Sequence, residues 1–188
     1  EGFRPGLLNR PVGSSNADGS YTVKPEVDTD EITNFEFGWK TITRDGQLRF
    51  NGSAFYVDVT GLQSTIFDPS IVNLFFSDNA ADATIKGVEG DFTYYTNVEG
   101  LSVAGAFSFL DTEITEKLVP TGDVIVGEEL AFAPGMQGNI RVRQEFGMAG
   151  GNLGHFQLQF TYSDDSYSDI MEPNKARQAS YSYVDLRA

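Results

Sequence analysis

The chain has 188 residues, with 13 Lys plus Arg against 27 Asp plus Glu, one His and no Cys, which is one domain's worth of polypeptide. A net charge of −14 excludes the cationic stripe that nucleic-acid binding needs, and the lack of Cys excludes disulfides, thiolate metal sites and cysteine nucleophiles. No apolar run is longer than four residues (54–57 and 130–133), so neither a transmembrane helix nor the hydrophobic stretch of a signal peptide is expected within it.

With 20 Gly, 15 Phe and 8 Tyr, the composition points to an all-β chain. Residues 1–32 mix Gly, Pro, Asn, Ser and Asp without a period of 2 or 3.6 and read as a loop. From Thr33 alternation is clear: Phe35, Phe37 and Trp39 share one face, Asn34, Glu36, Gly38 and Lys40 the other. An Asp45-Gly46 turn leads into a second run, with Leu48, Phe50, Gly52, Ala54 and Tyr56 opposite Arg49, Asn51, Ser53 and Phe55.

A third run sets Val88, Phe92 and Tyr94 against Glu89, Asp91 and Thr93. After a turn at 97–100, a fourth carries Leu101, Val103, Gly105, Phe107 and Phe109. A fifth alternates Ile140, Val142 and Phe146 with Arg141, Arg143 and Glu145. Around Gly147–Gly154 the chain reverses into Phe156, Leu158, Phe160 and Tyr162, and the last run, 180–188, carries Val184 and Leu186 opposite Asp185 and Arg187. Residues 33–188 thus hold about seven strands of about ten to twelve residues, whereas soluble strands average about five or six and a tilted bilayer-crossing strand needs about nine to eleven.

The connections alternate in length: 44–47, 97–100 and 147–154 are short, while 60–82, 111–136 and 164–179 are long, as in barrels with short periplasmic turns and long external loops. One parity carries mid-strand charge (Glu36, Lys40, Arg49, Glu89, Asp91, Arg141, Arg143, Glu145), suited to a wet lumen. The other is apolar and aromatic near the strand ends (Trp39, Tyr56, Tyr94, Phe109, Phe146, Tyr162), suited to lipid and headgroups. A soluble β-sandwich or lipocalin-like barrel would also alternate.

Gly2-Phe3-Arg4-Pro5-Gly6, Asn34-x-Glu36-x-Gly38-x-Lys40, Asn51-Gly52 with Phe55-Tyr56-x-Asp58, and Gln63 follow one another in order. So do Asn79-Ala80-x-Asp82-Ala83-x-Ile85-x-Gly87-x-Glu89, Gly100-Leu101 and Ala133-Pro134. Together they resemble the C-terminal barrel of TonB-dependent outer-membrane receptors over nearly the whole chain. The resemblance implies an antiparallel up-and-down transmembrane β-barrel segment, part of a barrel of about 22 strands with a plugged lumen, in a Gram-negative outer membrane.

It also implies uptake of a scarce nutrient driven through TonB, with a ferric siderophore or similar iron chelate as the commonest cargo. The expected partners are outer-membrane lipid and lipopolysaccharide, a plug domain, the TonB complex and a small nutrient ligand. Plug, TonB box and terminal aromatic strand would lie elsewhere in the parent protein, of which these residues are expected to be a fragment. Two other readings stay open: a passive porin-like barrel, and a soluble carbohydrate-binding β-sandwich. In isolation a seven-stranded open sheet has two unpaired edges and is expected to aggregate.

No catalytic residue, metal site or cofactor is expected. His155 would be the only imidazole for a Ser-His-Asp triad and sits beside a glycine-rich turn. Asp28, Asp30 and Glu31, and Asp164, Asp165 and Asp169, lack the ligand spacing of an EF-hand and read as solvated loops. Gly147, Gly150, Gly151 and Gly154 precede no helix and so form no phosphate loop, and the sequon at Asn51 falls inside a strand. Arg4, Asn9 and Arg10, in an external loop, are the candidates for contact with an anionic ligand. Arg141 and Arg143, with Glu89, Asp91 and Glu145 on neighbouring strands, are candidates for lumenal ion pairs that hold register or receive the plug.

Overall fold

A computed structural model describes residues 1–9, 22–67, 75–119 and 123–188. Its strands are β1 (Gly2–Arg4), β2 (Leu7–Leu8), β3 (Glu26–Val27), β4 (Asp30–Ile42), β5 (Leu48–Phe67), β6 (Phe75–Tyr95), β7 (Leu101–Lys117), β8 (Met136–Gly147), β9 (Leu153–Ser163), β10 (Ser166–Tyr167), β11 (Arg177–Gln178) and β12 (Tyr181–Arg187). Eight of them form one antiparallel sheet in the order β1-β4-β5-β6-β7-β8-β9-β12. Each strand therefore pairs with its predecessor in the sheet, an up-and-down meander. β2–β3 and β10–β11 are two-residue ribbons inside long connections.

Seven strands of the sheet are the alternating runs of the sequence. The eighth corrects the expectation that 1–32 is all loop, because Gly2, Phe3 and Arg4 pair with Ile32, Glu31 and Asp30. Three residues are too few to display a period. A second correction concerns length: β5, β6 and β7 have 20, 21 and 17 residues, so much of 60–82 and of 111–136 is strand rather than loop.

Alternation fails there because the ladder is irregular: β5 against β6 shifts by one residue between Val59 and Leu62 and shifts back between Leu62 and Gln63, and β6 against β7 shifts between Asp82 and Ala83, so the two-faced pattern is interrupted locally. Gly61 makes the first of these possible. Its φ of 69° suits glycine, and its N–H donates to Asp82 Oδ1 at 2.7 Å.

The turn after β4 is closed by the Gly46 N–H donating to the Thr43 carbonyl at 2.8 Å, with Gly46 at φ 72°. This turn and those joining β6 to β7 and β8 to β9 lie at one end of the sheet. The long connections all lie at the other end.

Register carries one parity across every strand. Trp39, Gly52, Gly90, Phe107, Gly138 and Tyr162 form one cross-strand row; Thr41, Phe50, Phe92, Gly105, Ile140, Phe160 and Val184 form the next. Within these rows aromatic rings lie over glycines on the adjacent strand. A Cβ on Gly52 would stand 2.5 Å from Trp39 Cζ2, one on Gly90 2.9 Å from Phe107 Cζ, one on Gly105 2.8 Å from Phe92 Cε1, and one on Gly154 2.7 Å from Phe146 Cε2. Each ring fills the missing side chain's space, so glycine can occupy a strand without leaving a gap.

Gly105→Ala should therefore destabilise the barrel by about 1–3 kcal/mol through overpacking, because its Cβ would also meet the Asn139 carbonyl oxygen at 2.7 Å, an atom that cannot rotate away. Gly2→Ala, with nothing within 4 Å of the added atom, is the matched control. Urea unfolding of the lipid-embedded receptor containing the chain measures both.

The buried apolar cluster does not lie between the two faces of the sheet. It sits at the loop end, where Val23, Ile66, Phe76, Ala80, Ala81, Ile114, Val119, Val124, Ile170 and Met171 pack together. Elsewhere the wall is one strand thick.

Candidate functional site

The apolar face of the sheet is bare. Phe35, Phe37, Val88, Phe109, Ile140, Val142, Phe156, Leu158, Phe160, Val184 and Leu186 all project from it and are exposed, Phe37 by 72% and Leu186 by 79%. A contiguous apolar surface of this extent is a surface for lipid rather than water. The six aromatics expected as girdle residues all project from this same face, and Phe146 and Phe156 stack with ring centroids 5.3 Å apart.

The opposite face is polar. Glu36, Lys40, Asn51, Ser53, Glu89 and Asp91 line a groove of about 580 Å³ along β4, β5 and β6. Asn51 Nδ2 donates to Asp91 Oδ2 at 3.1 Å and Ser53 Oγ to Glu89 Oε1 at 3.4 Å. Of the candidate lumenal ion pairs, Arg143 and Glu145 do meet, with Nη2 2.8 Å from Oε1, two residues apart on β8.

The strand-to-strand pairs joining Arg141 and Arg143 to Glu89 and Asp91 do not form. β7 stands between β6 and β8, and in the register Asp91 faces Ala106 while Arg141 faces Ala104 and Gln159. Glu89 and Asp91 are taken up by Ser53 and Asn51, and Arg141 has no salt bridge among the described residues. His155 lies opposite Glu145 in the ladder, at the short-turn end.

At the loop end, a polar network holds the N-terminal segment against β5 and β6. Asp30, 2% exposed, accepts from Arg4 Nε at 2.9 Å and from the Arg4 backbone N–H at 3.0 Å. Arg4 Nη2 also donates to the Gln63 carbonyl at 2.9 Å. Asn9 Nδ2 donates to the carbonyls of Lys24 and Ser77, and Asn9 Oδ1 accepts from the Ser77 N–H at 2.9 Å. Asn79 accepts from the Asp28 N–H at 2.9 Å and donates to the carbonyls of Asp28 and Gly61; Gln63 Nε2 donates to the carbonyls of Pro5 and Asp28.

Arg4 and Asn9 hold the loop to the wall, and the Arg4 side chain remains 52% exposed. Arg10 lies outside the described residues. Asp28, through its backbone N–H and carbonyl, and Asp30, through its carboxylate, belong to this network. Gln63 and Asn79 stood in the family-like motifs, but which carbonyls their amides would meet, 18 to 58 residues away, had no local signal.

Two further connections close the same end. Between β7 and β8, the segment 123–135 packs on 164–180. Arg177 Nε donates to Asp165 Oδ2 at 2.8 Å across the β10–β11 ribbon. That hydrogen bond holds the Asp165 carboxyl below its ordinary value, and the same contact raises Arg177.

Because a carboxyl lowered in the folded state contributes stability that is lost as pH falls through its folded value, acid should loosen the 164–180 connection. Amide exchange at Ser168, whose N–H donates to the Ala176 carbonyl at 3.0 Å beside the ribbon, followed against pH and corrected for intrinsic rates, should show falling protection on the acid side.

A one-strand wall, lipid-suited outside and charged inside, with turns at one end and packed connections at the other, is a segment of a transmembrane β-barrel. The sequence matches the model of the TonB dependent receptor-like β-barrel family over residues 1–188, and the chain belongs to that family, whose members are Gram-negative outer-membrane receptors and transporters rather than enzymes.

The fold is similar to that of the ferric yersiniabactin uptake receptor FyuA from Yersinia pestis, with a TM-score of 0.69 and 17% identity over 98% of this chain and 25% of that one. It is also similar to BauA, the ferric preacinetobactin receptor from Acinetobacter baumannii, with a TM-score of 0.63 and 18% identity over 93% of this chain and 25% of that one. The siderophore receptor PiuA from Acinetobacter baumannii gives 0.61 and 18% over 85% and 22%. The chain therefore spans about a quarter of the length of the receptors it resembles. Against curated proteins the sequence has no match.

Proposed function

We propose that these residues form part of the wall and external mouth of an outer-membrane receptor that takes up a scarce nutrient, a ferric siderophore or similar iron chelate, with energy supplied through TonB. The observation that carries this reading is the family match across residues 1–188, supported by the likeness to receptors for ferric yersiniabactin and ferric preacinetobactin. No covalent chemistry is required of the wall. Its outward face contacts lipid and, towards the mouth, lipopolysaccharide.

The lumenal groove bearing Glu36, Glu89 and Asp91, with Lys40 as the cation among its lining residues, suits a plug surface rich in Arg and Lys. Arg141, facing the lumen without an acidic partner among the described residues, suits an acidic residue of the same plug. In both cases a charge in the lumen gains a partner that the wall does not supply.

The test is uptake by the complete receptor in a Gram-negative host lacking its own siderophore receptors. Labelled ferric chelates should accumulate against their gradient when TonB is intact and remain outside when it is deleted. Uptake that persists without TonB would identify a passive porin instead, and binding of neutral oligosaccharides with no iron chelate taken up would replace the cargo.

A further inference from the structure

We propose that Lys175 pins the two connections 123–135 and 164–180 into one body, so that this side of the external mouth moves as a unit rather than as two separate loops. The proposal rests on the geometry of the pin and not on which nutrient the receptor carries.

The Lys175 side chain is 8% exposed, and its ammonium stands 2.7 Å from Glu128 Oε2 and 2.8 Å from Glu172 Oε1, so it holds one carboxylate from each connection. It also lies 4.6 Å from the centroid of the Tyr167 ring. Burial works against the ammonium, but the hydrogen bonds it donates to Glu128 and then Glu172 outweigh that and raise its pKa above the ordinary lysine value. The pin stays charged throughout the physiological range.

Around it the backbone crosses the same seam at three places. Glu172 N–H donates to the Asp123 carbonyl and Phe132 N–H to the Tyr167 carbonyl, each at 2.8 Å, and Val124 pairs with Met171 as an isolated bridge. Met171 is fully buried and Val124 2% exposed, and both join the cluster that contains Ile66, Phe76 and Ile114.

Drawing one connection away from the other would strand a buried ammonium with half its partners, which is strongly unfavourable. Moving both together leaves the seam intact. A cleft of about 340 Å³ has walls from three segments, 62–65, 130–132 and 168–170, so it exists in this form only while the two connections stay joined.

Amide hydrogen exchange on the complete receptor in lipid tests the pin, with no substrate present, so the result is separate from the transport reading. Lys175→Met should accelerate exchange at Phe132 and Glu172, the two amides that donate across the seam, by a common factor on the order of tenfold or more. Glu128→Gln, which weakens the pin from the other connection, should accelerate the same two amides, and Lys175→Arg should preserve their protection. Ile140 in the ladder should be unchanged in all variants, reporting an intact barrel. Acceleration at Glu172 without Phe132, or at neither, would overturn the proposal.

Discussion

In the receptor containing this chain, Phe107→Arg should lower stability by about 2–4 kcal/mol, the cost of a cation on the lipid face near the bilayer midplane. Ser108→Arg should change it by no more than about 0.5 kcal/mol. The residues are neighbours in β7, but the pleat sends them to opposite faces. Phe107 sits in the outward row between Gly90 and Gly138, where an arginine would replace the ring that lies over Gly90 and face hydrocarbon.

Ser108 sits on the lumenal face between Glu89 and Gln137, so an arginine there would gain an acidic neighbour and water. Unfolding by urea from lipid vesicles reads both values. Equal losses for the two variants would mean that the faces are assigned the wrong way round or that the sheet does not sit in a bilayer.

Asn79→Ala should free the N-terminal segment from the wall without unfolding the barrel. Asn79 is 7% exposed, and its side chain makes three hydrogen bonds, to the N–H and carbonyl of Asp28 and to the carbonyl of Gly61. At roughly 1 kcal/mol each, loss of the two that reach Asp28 amounts to about 2 kcal/mol of the segment's attachment, the third joining β6 to β5.

That corresponds to amide exchange on the order of thirtyfold faster at Asp28, whose N–H would lose its acceptor, if exchange there proceeds by local opening. Ladder amides of β8 and β9 should keep their protection. An unchanged rate at Asp28 would show that Arg4, Asn9 and Gln63 suffice to hold the segment and that Asn79 is redundant.

Both experiments separate what repeats along a strand from what depends on a meeting of distant residues. Phe35, Phe37 and Trp39, or Ile140 and Val142, declare their face through period-2 alternation, since a strand in a two-faced wall must segregate its side chains. Above Val59 that relation ends. Register shifts interrupt the parity, and the external ends of β5, β6 and β7 pack against other connections instead of lipid on one side and water on the other. Their sequence therefore resembles a loop although the backbone is paired.

The candidate ion pairs show the same limit. Arg143 and Glu145 are close in sequence on one face and do meet, whereas joining Arg141 to Asp91 required knowing that β7 intervenes. Lys175, Glu128 and Tyr167 carry no motif at all, and their meeting depends on how two connections fold over the end of the sheet.

The sequence by itself determined an all-β chain of long alternating strands, the two faces, the short-turn and long-connection ends and the family it belongs to, because each is encoded in local periodicity or in motifs read in order. Only the tertiary structure decided the eighth strand at Gly2–Arg4, the true reach of β5, β6 and β7, the structural use of Arg4 and Asn9, and the pinning of the external connections by Lys175. The side-chain contacts among them join residues far apart, 26 for Arg4 and Asp30, 47 for Lys175 and Glu128 and 68 for Asn9 and Ser77, and hydrogen-bond and charge complementarity at such separations leaves no period in the chain.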